Sequence, residues 1–192
     1  SIVRQPPIDE ARLDPRDNLE EFRPISEDDL RSVQERTDAA WATGRAILAN
    51  FGDTAFGDIA LVPAPWLKHP RGIRDVEEWY VSTVARRDYI TKVFEGQCEV
   101  ALGNLAAVHR RVGNKVSVVM LTGTDFGAQQ GAFVGPDTYR ELFMPFHKRL
   151  NDWVHRNTTW KCFIHSCGSV VKLIPSFIEA GFDVLNPVQT TA

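Results

Sequence analysis

The sequence predicts an α/β fold in which parallel strands alternate with helical crossovers. Three observations carry that prediction. Apolar residues recur at helical spacing in several separate stretches, and short apolar runs of strand character lie between them. From residue 58 onward the order reads strand, helix, strand, helix, strand, helix, strand. Such alternation calls for parallel strands joined by right-handed crossovers. Strands of this kind fit either an open doubly wound sheet or a section of an eight-stranded (β/α) barrel. No Gly-x-Gly-x-x-Gly follows any strand, which weakens the dinucleotide-binding form of the open sheet.

Residues 1–25 are rich in Pro, Arg and acids, show no period and read as an N-terminal arm. Ser26 then offers an N-cap, with Asp29 three residues on. Leu30, Val33, Thr37, Ala40, Trp41, Gly44, Ile47, Leu48 and Phe51 follow at helical spacing, so 27–51 reads as a helix ended by Gly52-Asp53. Residues 58–63 read as a short strand, followed by a loop bearing Pro65, Trp66, His69 and Pro70. Asp75 caps the next helix with Glu78 as its capping partner, and a further helical pattern runs from Tyr89 to Gly113. Residues 116–125 are apolar on both parities, as suits a strand covered on both faces. Pro136 starts a helix in which Pro145 predicts a kink. Residues 161–167 are the next strand, Ser169 opens a helix closed by Gly181, and 183–188 form the last strand.

The chain has 192 residues, enough for one domain, and 43% of them are apolar. With 22 Lys and Arg against 25 Asp and Glu, the net charge of −3 leaves no excess of cations for nucleic-acid phosphates. No apolar run approaches the roughly 18 residues of a membrane span, and the N-terminus lacks the shape of a secretory signal. Three cysteines cannot form a complete disulfide framework, which points to a reducing, cytoplasmic setting. The chain begins without Met and stops just after a strand-like stretch. A fragment of a longer protein is therefore expected, with open strand edges that favour self-association into a homo-oligomer.

In both α/β architectures functional groups collect at the C-terminal ends of the strands. Three such ends carry reactive side chains: Asp125, the pair His165 and Cys167, and Asp183 with Asn186 and Gln189. His165 and Cys167 are the sharpest signal, because residues two apart on a strand share a face. Imidazole and thiolate together suit zinc, and equally suit a base-activated thiol nucleophile. Cys162 lies an odd number of residues from both, so it faces the other side and reads, like Cys98, as core. A third zinc ligand would be a carboxylate or another His, or would lie beyond residue 192. The run Asp125 to Gly131 holds one acid and the amides of Gln129 and Gln130, placing Asp125 and Gln129 as catalytic candidates. Asp183, Asn186 and Gln189 are substrate-binding candidates. His147 and His155 read as surface or helix-end residues.

The ordered motifs Asp125-Phe126-Gly127-Ala128-Gln129-Gln130-Gly131, Pro136 to Phe143, Pro145-Phe146-His147-Lys148, His165-Ser166-Cys167-Gly168-Ser169 and Gly181 to Gln189 resemble the uroporphyrinogen decarboxylase superfamily, in its methyltransferase-like branch. The resemblance covers most of residues 55–192. It implies a (β/α)8 TIM-type barrel, of which residues 26–192 would form a part. It further implies zinc, bound by His165, Cys167 and a later Cys that this sequence does not reach. The implied activity is methyl transfer between a small methyl donor or thiol acceptor and the cobalt of a corrinoid carried by a partner protein. Uroporphyrinogen decarboxylase itself is metal-free and uses N-terminal Arg and Asp residues for which no matching segment is seen. The resemblance therefore leaves carboxy-lyase, or a non-catalytic ligand-binding barrel, as the alternatives.

Overall fold

In the computed structural model, which describes residues 5, 7–52 and 54–189, the first long element is α1, Glu27–Trp41. The Ser26 hydroxyl accepts from the Asp29 N–H, and three acids in the first turn complement the helix dipole. The predicted continuation to residue 51 does not form. Thr43 and Gly44 turn the chain, Gly44 at φ +71°, a conformation that glycine adopts without steric cost. Ile47, Leu48 and Phe51 fit a helical period and a strand run alike, and that turn settles which is used. Leu48–Ala49 becomes β1, and Trp41 is left 52% exposed. Asp53, the predicted end of this helix, lies outside the described residues, as do residues 1–4 and 6 of the arm and 190–192.

Residues 58–63 are not a strand. The Asp58 carboxylate accepts from the Ala60 N–H and caps a single 3-10 turn at Ile59–Leu61, which leads into the Pro-rich loop. The helices α2, Val76–Ala85, and α3, Arg87–Val112, follow with a break at Arg86. Then come β2, Val118–Thr122, and a small antiparallel hairpin of β3, Gly127–Ala128, and β4, Gly131–Ala132. The helix from Pro136 is interrupted where a kink is predicted: α4, Pro136–Thr138, and α5, Met144–Asn157, flank a π-turn at Tyr139–Phe143. Pro145 has no N–H for the carbonyl four residues back, so the widened turn falls just before it. Next is β5, Lys161–His165. The helix predicted from Ser169 starts later, as α6, Ile174–Glu179, because Pro175 fits only a first turn. Last is β6, Val184–Asn186.

The result is a mixed α/β structure around a parallel four-stranded sheet in the order β1-β2-β5-β6. Val119 pairs with Cys162, Ile164 with Leu185 and His165 with Asn186. The three later strands thus neighbour one another in parallel and in sequence order, as predicted; the first strand is the one corrected. Among the described residues the sheet is open at β1 and β6 and does not close into a barrel. Burial concentrates in aromatic rings from several elements: Phe56, Phe94, Phe126, Tyr139, Phe143 and Phe177. His147 belongs to this core, at 1% exposure, and not to the surface. It lies four residues from Phe143 and three from Leu150, on the buried face of α5. Burial pushes its imidazole down to about 3. Cys98 and Cys162 are both fully buried. No helix among the described residues is long and apolar enough to cross a membrane.

Candidate metal centre

The parallel sheet brings the C-terminal ends of β2, β5 and β6 side by side, and backbone contacts lock them. Ser166, between the two candidate ligands, turns into the core and its hydroxyl accepts from the Phe126 N–H at 3.0 Å. The Ser169 N–H donates to the Ala128 carbonyl at 2.8 Å. Between them Gly127 and Gly168 meet backbone to backbone, and a Cβ on either would collide with the other's main chain. Gly168 also sits at φ +83°. A side chain is excluded at both positions for reasons of space, and this close approach sets Asp125 against Cys167.

One nitrogen, one sulfur and one oxygen converge there. His165 Nε2 lies 3.3 Å from Cys167 Sγ and 3.8 Å from Asp125 Oδ1, and the three donors lie within 4.8 Å of one another. Tetrahedral zinc at its usual bond lengths would hold its nitrogen about 3.6 Å from sulfur and about 3.4 Å from oxygen. The observed separations differ from these by a few tenths of an ångström. Asp125 Oδ1 also accepts from the Cys167 N–H at 2.8 Å. His165 Nδ1 meets Asn186 Oδ1 at 2.9 Å, so Nδ1 carries the proton and the Nε2 lone pair faces the thiol and the carboxylate. That contact follows from strand register, since His165 and Asn186 are paired positions. Gln189 Oε1 accepts from the Gly168 N–H and ties down the loop after the ligands.

The charges in the cluster act on the thiol. Burial, followed by the adjacent Asp125 carboxylate, pushes the Cys167 thiol up. A raised thiol is a poor free nucleophile, whereas a coordinated thiol is deprotonated outright. The donor set and its spacing fit zinc. Two further groups face it. Asp58 is raised mainly by burial, and the Asp125 charge adds to this against the Ala60 amide and His165. Tyr80, on α2, donates its hydroxyl to the Asp125 backbone carbonyl. Neither stands out in the sequence, because each comes from a distant segment with no periodic relation to the strand ends. An acid following Phe56-Gly57 at a turn is the one local sign of Asp58.

Two candidates lie elsewhere. Asp183 is not beside the ligands; it precedes β6, at the opposite end of the sheet from His165. Its carboxylate accepts from the Cys162 N–H at 2.8 Å and contacts His155 Nε2 at 2.8 Å and Lys161 Nζ at 3.3 Å. Burial opposes ionisation, but these partners bring the carboxyl below its ordinary value. His155, Cys162 and Asp183 also lie within metal-binding distance of one another. There, however, the carboxylate is already satisfied by three donors. Gln129 sits exposed at the tip of the β3–β4 hairpin, away from the three converging atoms.

The sequence matches no protein-family model and no curated protein sequence. Its fold does match a solved structure, a methyltransferase from Methanosarcina mazei, with a TM-score of 0.56 at 14% identity. The match covers 88% of this chain and 45% of that one, so the chain spans under half the length of the structure it resembles. At that identity the likeness is one of fold.

Proposed function

We propose that this chain carries the zinc site of a methyltransferase related to the uroporphyrinogen decarboxylase superfamily, built as part of a (β/α)8 barrel. The reaction is methyl transfer between a small methyl donor or thiol acceptor and a corrinoid carried by a partner protein. One observation carries the reading: His165, Cys167 and Asp125 converge at metal-ligand spacing while Asn186 fixes the imidazole tautomer. The fold shared with a methyltransferase supports it.

His165 and Cys167 would hold the ion and Asp125 would complete a three-residue set, leaving the fourth position of a catalytic zinc for substrate. Zinc bound there supplies a Lewis acid, which deprotonates a thiol or makes an ether or alcohol oxygen a better leaving group. Asn186 orients His165, and Gln189 accepts from the Gly168 N–H in the turn after the ligands. Asp58 lies near enough to Asp125 and His165 for its charge to act on both.

The test is metal content measured together with turnover. Purified protein should hold about one zinc per chain, and Cys167→Ser should lower both zinc and methylation of cob(I)alamin, followed by its visible absorbance. Cys162→Ser should lower neither, because Cys162 lies outside the donor set. Zinc content and turnover indifferent to Cys167→Ser would overturn the reading. Porphyrinogen decarboxylation by metal-free protein would replace it with carboxy-lyase activity.

A further inference from the structure

The oxygen donor stands on a stretch of chain that the sheet does not hold. β2 ends at Thr122, β3 begins at Gly127, and Asp125 lies between them. His165, by contrast, is the last residue of β5 and is paired with Asn186 across the ladder. Lying outside the ladder, Asp125 depends on groups reaching in from elsewhere to fix the direction of its carboxylate.

Two of those groups meet on one peptide. The Asp125 carbonyl accepts from the Tyr80 hydroxyl. On the other edge of the same plane, the Phe126 N–H donates to the Ser166 hydroxyl at 3.0 Å. A peptide group is rigid and planar, so a hydrogen bond at each edge keeps it from turning about the chain direction. The Phe126 carbonyl accepts in turn from the Phe133 N–H at 2.7 Å, and the Asp125 carboxylate from the Cys167 N–H at 2.8 Å. Tyr80 is the member of this set that comes from α2.

Tyr80 is itself firmly held. Its neighbour Trp79 is 3% exposed and sits against Phe94 in the core, which fixes the rotation of α2. The Tyr80 ring stacks on Phe133, with centroids 5.2 Å apart and planes at 26°. Its partner on Asp125 is a carbonyl, an acceptor only, so the hydroxyl is the donor. The phenol is thus braced by the residue whose N–H holds the Phe126 carbonyl, and its tip holds the carbonyl before that one.

We propose that Tyr80 is a positioning residue for the metal centre: its hydroxyl, acting on the Asp125 carbonyl, aims the Asp125 carboxylate at the point where His165 Nε2 and Cys167 Sγ converge. Tyr80 supplies no ligand atom, and its effect passes through Asp125. The proposal rests on the metal-centre reading for the ion, while the hold on Asp125 has a readout that needs no metal.

The experiment compares Tyr80→Phe with the wild type. That substitution keeps the ring and its stack on Phe133 and removes one oxygen. Competition with a chromophoric chelator reads zinc affinity, and amide hydrogen exchange followed by NMR reads the metal-free protein. Zinc affinity should fall about tenfold, the lower end of the loss that follows removal of an outer partner of a metal ligand. In metal-free protein the Cys167 amide, which donates to Asp125, should exchange faster, while the Ile164 amide in the middle of the sheet keeps its rate. Zinc held as tightly by Tyr80→Phe as by the wild type overturns the proposal. So does a loss of zinc in which Ile164 also exchanges faster, since the hydroxyl then supports the fold in general. A wild-type protein that takes up no zinc discards the metal-centre reading, and the hold on Asp125 then stands or falls with the Cys167 amide.

Discussion

The two nitrogens of His165 do different work: Nδ1 is spent on Asn186, and only Nε2 is free to bind. Removing such an outer partner commonly costs 10- to 100-fold in metal affinity. Asn186→Ala should therefore release zinc to a chromophoric chelator about 10-fold more readily or worse, with its melting temperature little changed; undiminished retention would deny Asn186 that role. His147 provides a contrasting case, a histidine whose function is to stay neutral. In the folded protein it takes up a proton only near pH 3, whereas an unperturbed imidazole does so near 6.5. Between those values the unfolded chain binds the extra proton, so stability rises with pH and is lost as pH falls from about 6.5 toward 3. The slope from this one group is at most about 1.4 kcal/mol per pH unit. His147→Gln, which can still accept from Tyr139, should flatten the dependence of melting temperature on pH in that window; an unchanged slope would place the titrating group elsewhere.

Among the elements, the meeting of the hairpin with the His165–Gly168 turn matters most. Gly127→Ala and Gly168→Ala each push a methyl group into main chain, at a cost of order 1–3 kcal/mol or about 3–10 °C in melting temperature for a chain of this size. Both should also lower zinc retention, because the displaced turn carries Cys167. A Gly168→Ala protein that melts and binds as before would mean that the close approach is not needed. The pair His165 and Cys167 was legible in the sequence because a period of two is a local property, and Asp125 because it follows an apolar run. Asp183 was misplaced because its role depends on which end of a three-residue strand it occupies, and boundaries are what periodicity fixes least. The first strand was missed because Ile47 to Phe51 satisfy two periods at once. Asp58 and Tyr80 reach the centre only through tertiary packing, which a single sequence does not encode in its spacing.

For the molecule as a whole, the surface around β6 is expected to promote association. Val171, Ile178 and Val188 are each about two-thirds exposed or more, and the groove beside β6 is lined by Val170, Ile174, Leu185 and Pro187. Burying such side chains is worth about 1.5–3 kcal/mol apiece, enough to drive association at modest concentration. Sedimentation velocity should show concentration-dependent self-association that Ile178→Lys with Val188→Lys reverses; a monomer at every concentration would mean that this surface is inert. The edge has a second effect, through Asn186. β6 is three residues long and pairs on one side only among the described residues. Short edge strands open more often than the rest of a fold, and each opening lifts Asn186 from Nδ1 and lets the imidazole rotate. The affinity for an ion bound there would then be the intrinsic one scaled by the fraction of time the strand is closed. Whatever covers the far side of β6 would act as a gain control on the centre, lengthening the residence of the ion without contributing a single ligand atom.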